Sequence, residues 1–206
     1  MTIDDLTGEQ DPDLWFRDAN CLVHLYAKGQ SRRGPSFKVP FSTLLDSECL
    51  PLIVRFLPAD GPRSRPRSPR ELKRWGRLDL TRSVELYIAP SALANREQTF
   101  QYHLATRNFF AWAFGKPLVG THLGQAMISL LNSMHEFRSD LGQNVTDMLA
   151  YLEQQGYLDI TGHPSLALAV LHFAEHFQLR ELYVRAFAHC VGMSERLHFS
   201  TEYQVS

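Results

Sequence analysis

Hydrophobic positions near the start of the chain alternate with polar ones. Further on they recur at steps of three and four residues, so the period alone divides the sequence. Cys21 to Ala27 (CLVHLYA) alternates like a half-buried strand, a turn-rich gap runs from Gly29 to Pro35, and Phe37-Lys38-Val39 alternates again. Two alternating runs flanking a turn predict a hairpin over 21–39. From Phe41 the period changes. Leu44, Leu45, Leu50, Leu52, Ile53, Phe56 and Leu57 predict two short helices, the second opening at Pro51, since proline fits a first helical turn. Val84 to Ile88 alternates once more, and Pro90 ends it. After about residue 97 every apolar segment has helical spacing: 100–114, 122–137, 145–155, 165–178 and 179–191. Residues 100–114 and 170–190 are apolar nearly all round in places, which predicts central helices. The fold class expected is α+β, with a small mixed sheet in the N-terminal half packed against a mainly helical C-terminal half.

Composition places few limits on this picture. With 206 residues, 44% hydrophobic and 21% charged, the chain reads as one ordinary globular domain. It is large enough to need neither metal nor disulfide for stability. The three cysteines, Cys21, Cys49 and Cys190, are far apart and form no CxxC. They read as small apolar residues in a reducing compartment. Neither a signal-peptide h-region nor an apolar run of spanning length occurs, so the expected location is cytoplasmic or nuclear, away from membranes. Residues 1–17 read as a mobile acidic arm, 18–198 as the domain and 199–206 as a tail.

Charge changes the picture in one place. The formal net charge is −1, yet residues 58–78 hold seven basic residues (Arg63, Arg65, Arg67, Arg70, Lys73, Arg74, Arg77) against Asp60 and Glu71, a local +5. Proline and arginine without apolar periodicity predict a loop or disordered insert. Such a loop could touch phosphates, but Trp75 is its only aromatic and offers no stacking platform, so nucleic acid is disfavoured. Ser68, before Pro69, is a candidate phosphorylation site that would offset much of the local charge. A nuclear adaptor regulated through 63–77 is one alternative function.

The most enzyme-like string is His172-Phe173-Ala174-Glu175-His176, an H-x-x-E-H of the kind that binds zinc in one class of peptidase. His172 and His176 share a helix face, as two ligands must. At 100° per residue, however, Val170, Phe173, Ala174 and Phe177 form the inner face and the motif falls on the outer one. A catalytic zinc also requires a third ligand, and Glu181, Glu195 and Glu202 are the acids remaining downstream. A zinc hydrolase using His172, Glu175 and His176 is therefore the weaker alternative, and no cofactor is expected. Gly115 to Thr121 has the glycine spacing of a phosphate loop but lacks its lysine and follows a helix instead of a strand. The bland reading is a helix stop, with Thr121 capping the next helix. No G-x-S-x-G is present. Adjacent His189 and Cys190 point about 100° apart on a helix and form no catalytic pair. Arg107, four residues after His103, reads as a structural link to an acid or a carbonyl, since a buried arginine must be paired.

Asp18-Ala19-Asn20-Cys21-Leu22-Val23-His24-Leu25, Phe37-Lys38-Val39-Pro40 and Leu44-Leu45-Asp46-Ser47, in that order, resemble the opening of a BTB/POZ domain. Leu168 to Cys190 is similar to the closing helix pair of such domains. HLATRNFFAWAFGKPLVG (103–120) and FAHCVGMSERL (187–197) resemble an uncharacterised BTB-like family of filamentous fungi. The resemblance implies a protein-interaction or oligomerisation module without catalysis. A homodimer of that kind would use the arm and the first helix, with Trp15, Phe16, Phe41, Leu44 and Leu45 as anchors. The chain departs from the family at Pro40, where many members carry histidine, in its basic insert, and in three helices added before the closing pair. These departures argue against a cullin-type partner and against simple transfer of the usual dimer.

Overall fold

The computed structural model describes residues 10–58, 70–71 and 83–204. Three strands form the sheet: β1 (Cys21–His24), β2 (Phe37–Val39) and β3 (Val84–Tyr87), in the order β2-β1-β3. β1 and β2 pair antiparallel with Cys21 opposite Val39; β1 and β3 pair parallel with Cys21 opposite Val84. Period-two alternation turns Cys21, Val23, Phe37, Val39 and Leu86 to the core, where all are buried. β1 is shorter than its apolar run predicts. Past His24, the Tyr26 hydroxyl donates to the carbonyls of Arg33 and Gly34, and the chain leaves the sheet there.

Parallel neighbours need a crossover. Here α1 (Phe41–Asp46) and α2 (Leu50–Phe56) lie between β2 and β3 in the sequence. α2 starts one residue before Pro51, which sits in its first turn as expected. Phe41, Leu44 and Leu45 are buried in this chain's own core. That corrects the expectation that they anchor a partner: their apolar surface is already used.

The helical half comprises α3 (Arg96–Ala113), α4 (Leu123–Phe137), α5 (Asn144–Gln154), α6 (Pro164–His176), α7 (Arg180–Gly192) and the short α8 (Ser194–Leu197). An α+β architecture follows: a three-stranded mixed sheet in the N-terminal half and a mostly helical C-terminal half. α3 opens on a capping box in which Asn95 and Gln98 satisfy each other's backbone. α6 is central. Ala167 to Val170, Phe173 and Ala174 are buried, and α6 packs against both α4 and α7. Close packing against α4 depends on Gly124, since a Cβ there would meet the Ala169 carbonyl oxygen at 3.1 Å.

Both chain ends differ from expectation. Residues 10–17 belong to the fold: Leu14 is fully buried, Trp15 bridges Lys38, and the Phe16 ring lies 5.3 Å from that of Phe114. Beyond residue 198, Ser200 and Glu202 are buried. The Glu202 carboxylate accepts hydrogen bonds from the Leu123 and Gly124 amides, at 2.5 and 3.2 Å. It therefore caps α4 from outside the helix, whereas Thr121 is exposed and His122 makes no side-chain cap.

Candidate interaction surface

The two buried arginines and Asn108 are already engaged, whereas the ring nitrogens of buried His103 have no side-chain partner among the described residues. Arg107, only 1% exposed, donates from Nε to Asp11 and from Nη2 to Asp13, both at 2.9 Å, and from Nη1 to the Pro117 carbonyl at 2.5 Å. The structural link expected of it is present, and the two acids come from the segment expected to be mobile. Asn108 exchanges two hydrogen bonds with the Val119 backbone. Arg138 bonds the Ser47 carbonyl, Asn144 and Asp147, and stacks over Trp112. Engaged on all sides, these groups brace loops to helices and have little capacity left for a substrate.

A cleft of about 490 Å³ opens between α3 and α4, lined by Glu97, Leu104, Asn108, His122 and Gln125 among others. Among the described residues, no hydrogen bond joins its Thr121 or Ser129 hydroxyl to His122 or Glu97. Glu97 accepts from Gln101, and Asn108 is saturated. The cysteines carry no reactive thiol: all are free and buried. Burial pushes the Cys49 thiol up to about 12 and those of Cys21 and Cys190 upward as well. His24, stacked 4.5 Å from Tyr87, and His103 are both buried, and desolvation lowers the pKa of each.

The zinc motif sits where its helical phase puts it. Val170, Phe173 and Ala174 are buried, His172 is half-buried, and Glu175 and His176 are exposed on the outer face of α6. Among the described residues no third histidine, cysteine or acid joins the pair to form a metal-holding group. Of the basic loop, Arg70 is exposed; Arg63, Arg65, Arg67, Ser68, Lys73, Arg74 and Arg77 lie outside the described residues. No described helix is long and apolar enough to cross a membrane.

α7 breaks the pattern of satisfied groups. Its inner side carries Ala186 and Cys190, buried against α6, with Leu182 packed on the core. Opposite them stand Val184 (58% exposed), Phe187 (49%), Ala188 and Val191 (59%). The spacing i, i+3, i+4, i+7 makes these one continuous stripe on a single face. Tyr183 stacks on Phe187 at 6.0 Å and flanks it. Leu93 and Leu141 are also exposed, but singly, as surface leucines commonly are. Apolar positions nearly all round in places predict central helices over 170–190. That holds for α6, whereas α7 buries one face and leaves the other open. An all-apolar helix looks the same in sequence whether its second face meets its own core or another molecule.

Residues 145–206, which include this helix, match a family model described as a domain of unknown function, DUF8004. No curated protein and no solved structure matches the chain.

Proposed function

We propose that this chain is a protein-interaction module and that the outer face of α7 is its contact surface. The observation carrying the reading is the stripe of Val184, Phe187, Ala188 and Val191, exposed on a helix whose other face packs on the core through Leu182, Ala186 and Cys190. A row of apolar side chains left in water forgoes about 25 cal/mol for each Å² that a partner would cover. Exposed aromatic and aliphatic residues clustered on one face are the usual anchors of such contacts. The BTB/POZ resemblance supports the same class of function, and the order hairpin, two short helices, parallel strand is compatible with it. The proposed surface nonetheless differs from the arm and first helix that the resemblance implies.

Neither alternative has comparable support. The zinc hydrolase reading lacks a third ligand among the described residues. The nuclear adaptor reading rests on a loop almost wholly outside them.

A photo-crosslinking amino acid placed at Phe187 tests the proposal, with the same probe at exposed Thr161 as control. In the full chain within its own cells, crosslinks to any protein, itself included, are expected from position 187 and not from 161. Absence of crosslinks from 187, or equal yields from both positions, would overturn the reading.

A further inference from the structure

The α7 stripe has a symmetry that points to its occupant. Val184 and Val191 lie equally far from the midpoint between Phe187 and Ala188. Laid antiparallel on a second copy about that midpoint, Val184 faces Val191 and Phe187 faces Ala188. The largest side chain of the stripe then meets the smallest, and each copy supplies one such pair. A two-fold contact requires this kind of self-complementarity.

One charge pair beyond the stripe follows the same axis. Arg180 and Glu181 precede it, and Glu195 and Arg196 follow it. About the same midpoint, Arg180 falls in register with Glu195 of the second copy, at the start of α8 just past the end of α7, while Glu181 falls opposite Ser194 and Arg196 opposite Leu179. All four are exposed, and none has an ion-pair or hydrogen-bond partner among the described residues. Arg180 also stands in the first turn of α7, where the helix dipole disfavours a cation. An incoming carboxylate would offset that. Gly192 adds no obstacle, since nothing lies within 4 Å of a Cβ built there.

From this geometry we infer that the partner is a second copy of the chain, bound through α7 in an antiparallel two-fold pairing centred between Phe187 and Ala188. The inference rests on the proposed interaction function and names the partner. One helix face makes a small interface, so the dimer is weak, with a dissociation constant on the order of 10–100 µM.

The test is sedimentation equilibrium of the full chain from about 1 to 500 µM, a range set by that affinity. The wild-type protein shows a concentration-dependent rise towards the dimer mass. Phe187→Glu weakens association at least about tenfold while leaving circular dichroism and the thermal midpoint unchanged. Arg180→Glu and Glu195→Arg each weaken it by roughly three- to tenfold, and the double exchange restores it, because the pair is rebuilt with its signs reversed. A strict monomer throughout would overturn the inference, as would a Phe187→Glu variant that dimerises like wild type. A double exchange as weak as either single one would also overturn it. A monomer that still crosslinks to another protein from position 187 would overturn self-pairing alone and leave the interaction function standing.

Discussion

α3 and α7 are opposites in what they bury. α3 draws His103, Thr106, Arg107 and Asn108 into the interior and gives Arg107 and Asn108 partners from distant loops. α7 leaves Val184, Phe187 and Val191 in water with nothing over them. Arg107 and Asn108 invite thoughts of a ligand, but both are engaged within the chain, so their role is to hold the fold. The apolar groups of α7 add little to this chain's own fold, so their role lies outside it. Unmet interactions point to function here more than chemically versatile residues do.

The contrast breaks first at Arg107 if it is wrong. Arg107→Met removes one member of a buried ion network and takes the donor from Asp11 Oδ2 and from the Pro117 carbonyl, leaving Asp11 only its bond from the Asp13 amide. A loss of about 3–5 kcal/mol is expected, as for other broken buried pairs, read from urea unfolding midpoints. A loss under about 1 kcal/mol would return Arg107 to candidacy as a ligand anchor, since functional charges often contribute little to stability. Next in size is Gly124→Ala. Helix propensity alone would favour alanine by about 1 kcal/mol. The new Cβ would instead press on the Ala169 backbone, 3.1 Å from its oxygen and 3.2 Å from its Cα. Backbone cannot swing aside as a side chain can, so net destabilisation of about 1–2 kcal/mol is expected. A stabilised variant would mean that α4 and α6 separate easily.

These sites show why part of the molecule was legible in sequence and part was not. Period carried the elements: the strands at 21 and 84 and every helix from α3 to α7 follow from the spacing of apolar residues. Burial of Arg107 could also be inferred, because an arginine amid Phe109, Phe110 and Trp112 has to be paired. Its partners could not, since Asp11 and Asp13 are more than ninety residues away and their surroundings read as a polar arm. The cap of α4 escapes local sequence pattern for the same reason. Local grammar offered Thr121, while Glu202 reached the helix from the far end of the chain. Phe41, Leu44 and Leu45 show the converse error. Apolar residues in a first helix fit an interface or a core equally well, and only the packing decides.

Glu202→Gln gives a smaller effect. The amide oxygen can still accept from one of the Leu123 and Gly124 N–H groups, but the other loses its acceptor and the favourable charge at the α4 N-terminus is gone. A loss of about 0.5–1 kcal/mol is expected, and Glu202→Ala should cost about twice that. Equal, negligible effects in both would mean that the 201–204 turn frays in solution. A pH series adds a modest effect of known sign. Burial lowers the pKa of His24 and His103 below the usual 6.5, so the fold favours the neutral form of each and both protonate more readily when unfolded. Their contribution is therefore complete above about pH 6.5 and declines as pH falls through and below that value. Chemical denaturation at pH 7.5 and 5.5 should show lower stability at the acid end, less so in His103→Leu. Glu85 opposes the shift at His24, so His103 should carry more of the change.

The smallest expected effect sharpens the comparison most. Phe187→Ser deletes a large aromatic ring, a change that in a core costs several kcal/mol. Here the ring is half in water and its one described aromatic contact is the stack on Tyr183. Stability at concentrations where the chain is monomeric should therefore change by less than about 0.5 kcal/mol. Urea midpoints at low micromolar protein check this directly. A cost above about 1 kcal/mol would mean that Tyr183 and Phe187 form part of this chain's own core, and that the face between Val184 and Val191 is not vacant. A negligible cost, combined with lost association, would separate the residues that fold the chain from those that face a partner.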